Sequence, residues 1–173
     1  MARATPVTAV PGWGGVAMGV SALGAAWLAA RQANPAEWLA VWLGEAILAL
    51  SIGGFTFVRK AQRTGEPGLS YAGKQFVGNF TPPLVAGGLL TPVLYQAGLS
   101  HLLPGVWLLL YGTAVTTAGA FSIRVVPIMG LCLMAVGGAA LFAAPTAGDL
   151  FMAIGFGGFQ IGFGLIIARR YGG

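Results

Sequence analysis

Five polar residues sit inside otherwise apolar stretches and are the side chains best placed for chemistry: Glu45, Thr91, Gln96, Thr116 and Gln160. Glu45 is the one ionisable residue well inside such a stretch. Counted from Trp38 at 1.5 Å per residue, it lies about 10 Å along a helix. An ionised carboxylate at such depth in hydrocarbon costs roughly 2.5–3.5 kcal/mol on insertion scales. Glu45 is therefore expected to face other helices and to be protonated or paired, which suits it to carry a proton or meet a cation. The same count puts Thr91, Thr116 and Gln160 roughly 13–17 Å deep, with Tyr95 and Gln96 shallower. Depth does not fix rotation about a helix axis, so two arrangements stay open. The polar groups line one pocket with His101 and Asp149 at its mouth, or each bonds its own i−4 carbonyl or a neighbouring helix.

Other chemistries lack their residues. With one histidine, His101, four Asp and Glu residues and one cysteine, Cys132, the chain has no bis-histidine haem site, no histidine or carboxylate cluster for a metal and no intrachain disulfide. No cofactor is expected. Gly-x-Ser occurs at 19–21, 68–70 and 98–100, but only Ser100 has a histidine close in sequence, and adjacent residues on a helix point apart. The Gly-x-Gly pairs lie inside apolar runs rather than after strands, so no phosphate-cradling loop is present. Neither hydrolysis nor any other enzymatic activity is expected.

The elements that must hold these residues follow from composition. Of 173 residues, 57% are hydrophobic and 8% charged, with a mean hydropathy of +0.82. Soluble domains carry roughly 25% charged residues, so the expected solvent is lipid. The apolar runs fall at about 12–30, 38–58, 80–100, 105–123, 125–144 and 149–168. A span needs about 20 residues, and only helices and closed barrels satisfy their own backbone in hydrocarbon. The expected fold is an all-α, polytopic integral membrane protein, with six transmembrane helices in one compact bundle forming a single domain over 1–173. Placing both termini in the cytoplasm leaves eight of the nine Lys and Arg residues inside: Arg3, Arg59, Lys60, Arg63, Lys74, Arg124, Arg169 and Arg170, against Arg31 outside. Trp27, Trp38, Trp42 and Trp107 then fall near outer span ends, and Trp13, Tyr71 and Tyr171 near inner ones. The first run is long for a signal core and lacks a clean small-x-small site before Arg31, so cleavage is not expected. The net charge of +5 is scattered through short loops, which argues against nucleic acid.

Small residues four apart, Gly15 with Gly19, Ala22 with Ala26 and Ala30, Ala135 with Ala139, and Gly158 with Gly162, suit close helix packing within the chain or between copies. Span three is irregular. Thr81 and Pro82 read as a helix start, with Thr81 as N-cap, and Pro92 as a mid-span kink. Span six holds Gly155, Gly157, Gly158, Gly162 and Gly164. Interruptions in both third members fit an inverted repeat of spans 1–3 and 4–6. The segment 59–76, turning at 65–68, carries cations that attract anionic inner-leaflet lipid. The composite expectation is a small cell-membrane protein, most simply bacterial, that binds or transports a small solute, ion or lipid near Glu45. The alternative is a scaffold or regulatory subunit that meets other helices, or its own copies, through Gly and Ala faces. Cysteines introduced at Arg31, His101 and Asp149 are expected to label from one side of the membrane, and those at Arg63, Arg124 and Arg170 from the other; any exchange between the sets refutes the six-span map.

Overall fold

A computed structural model describes residues 10–63, 71–120 and 122–171, and the described residues form six helices. They are α1 Gly12–Ala29, α2 Pro35–Arg63, α3 Tyr71–Gln96, α4 Leu103–Gly119, α5 Val125–Phe142 and α6 over 148–171. The sixth is continuous but mixed: α-helix Gly148–Met152, a π-helical stretch Ala153–Phe159, then α-helix Gln160–Tyr171. Arg3 and the turn expected at 65–68 lie outside the described residues.

Local chemistry sets the boundaries. Asn34 caps α2, its Oδ1 accepting from the Ala36 N–H at 2.9 Å, with Pro35 at the first turn where a missing N–H is harmless. Gly98, at φ +74°, ends α3: the Gly98 N–H bonds the Tyr95 carbonyl and the Leu99 N–H the Leu94 carbonyl, a left-handed cap that satisfies the last turn. Short 3₁₀ turns at Ser100–Leu102 and Pro145–Ala147 make the connections into α4 and α6.

Span three departs from expectation. The helix runs unbroken from Tyr71 through Pro82, Pro83 and Pro92, and Thr81 is no N-cap: its hydroxyl donates to the Val77 carbonyl at 2.8 Å. Pro83 cannot give the Asn79 carbonyl its helical partner. The Thr117 hydroxyl of α4 lies 3.2 Å from that carbonyl and 2.9 Å from its own Thr113 carbonyl, so its one proton is shared between the two helices. Five helical stretches are long and apolar enough to cross a membrane: Gly12–Ala29, Pro35–Gln62, Ser100–Gly119, Val125–Phe142 and Pro145–Tyr171. Helix α3, with Lys74, Asn79 and three prolines, falls short of that apolarity. Arg59, Lys60, Lys74, Arg124, Arg169 and Arg170 gather at the bundle end where α1, α3 and α5 begin, and Arg31 sits at the other.

Two helix pairs pack backbone to backbone. In α4–α5, a Cβ on Gly130 would lie 2.6 Å from the Thr116 nitrogen, and one on Gly137 2.7 Å from the Leu109 nitrogen. In α1–α6, a Cβ on Gly164 would lie 2.9 Å from both the Gly12 oxygen and the Val16 nitrogen. Only glycine permits these approaches, because backbone atoms cannot swing aside. Gly15, Gly19, Ala22 and Ala26 are buried, whereas Ala30, Ala135, Ala139, Gly158 and Gly162 face outward. Helix α2 then packs on α1, and α3 on α4, but α2 and α3 are not packed along their length. Exchanging the two halves relates α1–α2 to α4–α5 and α1–α6 to α4–α3, but the symmetry stops there: α5 touches α6 where α2 and α3 part, and α4 touches α6 where α1 and α3 do not pack. Gly130→Leu is expected to lower unfolding stability in detergent by about 1–3 kcal/mol through overpacking, while Gly162→Leu, with open space around it, leaves the melting curve unchanged.

Candidate functional site

Where α2 and α3 part, a cavity of about 660 Å³ opens between them, backed by α1, α4, α5 and α6. Small residues create it. Ala46, Ala49 and Gly53 of α2 and Gly87 and Gly88 of α3 line it, and neither a bulky side chain nor the opposing helix fills the space. Its walls are overwhelmingly apolar, with Glu45, Thr91, Tyr111 and Gln160 as the principal polar groups.

Each polar group has a partner. Glu45 is 9% exposed, and its Oε1 accepts from the Ser21 hydroxyl of α1 at 2.8 Å. The same hydroxyl lies 2.9 Å from the Met18 carbonyl. One hydroxyl proton cannot serve both oxygens, but a protonated Glu45 donating to Ser21 uses both contacts. The Thr91 hydroxyl donates to the Gly87 carbonyl at 2.7 Å and accepts from Trp107 Nε1 at 2.9 Å. Gln160, buried where α6 leaves its π-helical stretch, donates from Nε2 to the Tyr111 hydroxyl. The π-helix is itself a rare geometry, frequent at functional sites, and it determines where Phe156 and Gln160 point.

Aromatic contacts run round the cavity from α2 back to α2. Phe57 stacks on Phe76 and Phe76 on Phe80, with centroids 5.8 and 5.5 Å apart. Phe80 meets the edge of Tyr111, Tyr111 that of Phe156, and Phe156 packs on Trp42 at 5.7, 5.2 and 6.5 Å. At the end bearing Arg31, Asp149 Oδ1 accepts from Trp38 Nε1 at 2.8 Å and Trp42 Nε1 at 3.0 Å, fastening α2 to the first turn of α6. Trp38 also stacks on Trp107 of α4, centroids 5.8 Å apart and nearly parallel.

The structure brings Glu45, Thr91 and Gln160 to one cavity and leaves the other expected residues out. Gln96 is exposed beyond the end of the cavity on the last turn of α3. Thr116 turns toward α5, its hydroxyl bonding the Gly112 carbonyl at 2.8 Å and approaching Met134. His101 is exposed, Tyr95 half-buried, and neither lines the cavity. Asp149 is near the expected mouth but occupied as an indole acceptor. Trp42, expected at an interface, is 3% exposed and lies in the core. Ser21, Tyr111 and the aromatic circuit were missed. Ser21 sits in span one, which the expected pocket left out, and Tyr111 looks like an ordinary interior aromatic; neither carries a distinguishing sequence signal.

The chain matches no protein-family model, no curated protein and no solved structure. Asp149→Ala is expected to destabilise the detergent-solubilised protein by about 1.5–3 kcal/mol, the range for hydrogen bonds to a charged group. Asp149→Asn retains an acceptor and loses less; equal melting temperatures for the two variants would show that the indole bonds contribute nothing.

Proposed function

We propose that the protein is a non-enzymatic, multi-pass protein of the cell membrane, in a bacterial plasma membrane on the simplest reading. In this view it takes a lipid or lipid-like amphiphile from the bilayer into the cavity between α2 and α3, and holds or moves it there. The observation that carries the reading is the cavity of about 660 Å³ between two helices that do not pack. That size lies within the roughly 300–1,000 Å³ of small-molecule sites, and apolar walls with a few convergent polar groups are their usual chemistry. An aqueous ion path would instead need a train of polar or charged side chains, and these walls supply few.

The basic end of the bundle favours cytoplasmic termini under the positive-inside rule, with α3 as a sixth span shielded by α4. Arg59 and Lys74, exposed at that end, would attract anionic inner-leaflet headgroups, each by about 1 kcal/mol. A second reading, a scaffold that recruits other helices or a second copy, is favoured by one observation: Gly158 and Gly162 face outward, with open space at Gly162 and only the Ala153 carbonyl of their own helix near Gly158.

Lipid retention separates the two. After extraction from nanodiscs, the chain is expected to keep one lipid in native mass spectrometry. Ala49→Trp and Leu84→Trp, which fill the cavity, should reduce that occupancy about tenfold or more, equivalent to at least 1.4 kcal/mol. Gly158→Leu should leave it unchanged. Retention insensitive to the two filling variants would overturn the cavity reading, and loss of a defined oligomer in Gly158→Leu alone would favour the scaffold.

A further inference from the structure

Resting on the cavity reading above, we infer that the preferred occupant is a hydrophobic organic cation, recognised by Glu45 together with the aromatic circuit.

The polar chemistry of the cavity is one-sided. Among the described residues that line it, Glu45 is the only carboxylate, and no lysine, arginine or histidine is present. Ser21 engages Oε1 of Glu45 alone, and no described residue bonds Oε2. Gln160 commits its Nε2 to Tyr111, which leaves its amide oxygen as an acceptor on the side of Gly15. Pro92 deprives the carbonyl of Gly88, another lining residue, of its helical N–H partner. Acceptors thus outnumber donors, and the only group able to hold a full charge holds a negative one.

The aromatic rings reinforce the same sign. Trp42, Phe80, Tyr111 and Phe156 all line the cavity, and the face of an aromatic ring carries the negative part of its quadrupole and attracts cations. An anion would meet an acceptor-rich, acidic wall with no counter-charge. A neutral amphiphile would gain the apolar contacts but leave a carboxylate with nothing to neutralise it except a proton. A bulky cation with an apolar exterior satisfies the walls, the rings and Glu45 at once.

Charge balance then links the cation to a proton. With the cavity empty, Glu45 is accommodated protonated, donating to Ser21, whose own proton serves Met18. On cation binding, Glu45 gives up that proton to solvent and Ser21 turns its hydroxyl proton to Oε1. Ser21 of α1 bonds Glu45 directly, and the other helices contribute Met18 of α1, Thr91 of α3, Tyr111 of α4, Met129 of α5 and Gln160 of α6 to the same cavity lining. Of these only Tyr111 titrates at all, and its hydroxyl is engaged by Gln160.

The test uses the full chain in zwitterionic nanodiscs, with tetraphenylphosphonium as probe and tetraphenylborate as its anionic counterpart of matching shape. Equilibrium dialysis should show one phosphonium per chain, no competition by the borate, and affinity falling toward about tenfold per pH unit as acid protonates Glu45. Glu45→Gln should bind at least tenfold more weakly and lose the pH dependence, while keeping the wild-type melting temperature. If Glu45→Gln fails to fold, the pH dependence and the probe discrimination of the wild-type chain decide. Equal binding of the two probes, a wild-type affinity independent of pH, or unchanged affinity in Glu45→Gln would overturn the inference. Retained lipid with no phosphonium binding defeats the cation assignment alone; absence of both defeats the cavity reading as well.

Discussion

Glycine decides which helices of this bundle touch. In a bilayer there is no hydrophobic drive between helices, so contact depends on how closely backbones can approach. At the α4–α5 seam Gly130 opposes the backbone of Thr116 and Gly137 that of Leu109, and at the α1–α6 seam Gly164 sits against Gly12 and Val16. At these positions backbone meets backbone within a distance that no side chain could share. The remaining helices pack along one neighbour each, α2 on α1 and α3 on α4, with side chains alone tying α2 to α6, α4 and α3. The cavity between α2 and α3 is the geometric remainder of that arrangement.

Polar groups inside the bundle follow a second rule, that each must find a partner from the chain itself. Most hydroxyls turn back on their own helix: Ser51, Thr56, Thr81, Thr91, Thr113 and Thr116 each donate to a carbonyl four residues earlier. Among the side-chain pairs that instead join helices are Ser21 with Glu45, Trp107 with Thr91, Gln160 with Tyr111, and two indoles with Asp149. Three of these four involve a cavity polar group, so the cavity's polar groups are also its ties to the surrounding helices. Substitution at Gln160 or Tyr111 would therefore disturb wall and cavity together, whereas Glu45 keeps an isosteric replacement.

Much of the architecture was legible because it depends on one-dimensional quantities. Helix lengths and the bundle end at which the cations gather are sums along the chain, and most helices lie close to where those sums put them. Rotation is not such a quantity. Thr116 and Gln160 share a depth, yet one faces α5 and the other the cavity. The orientation of Gln160 depends on the π-helical stretch before it, which changes the angular step per residue and leaves no sequence mark beyond its glycines. Span three misled for a related reason. Two adjacent prolines read as a helix start, but a neighbouring hydroxyl, Thr117, reaches the Asn79 carbonyl that Pro83 leaves without its helical donor, a compensation visible only once α4 is in place.

The single attachment of α3 gives the gap a direction in which it can change. Phe57 against Phe76 bridges α2 and α3 near the basic end, and Trp38 against Trp107 ties α2 to α4 near the other. Between them the cavity keeps the two helices apart, so moving α3 away from α2 breaks no backbone hydrogen bond and neither glycine seam. The seams would hold α1, α4, α5 and α6 as a fixed wall, and α3, already short of helical donors at Gly78, Asn79 and Gly88 because of its prolines, would absorb the displacement. A large apolar occupant entering from the bilayer needs such a division, with one side rigid enough to present Glu45 and Gln160 and the other compliant enough to admit bulk.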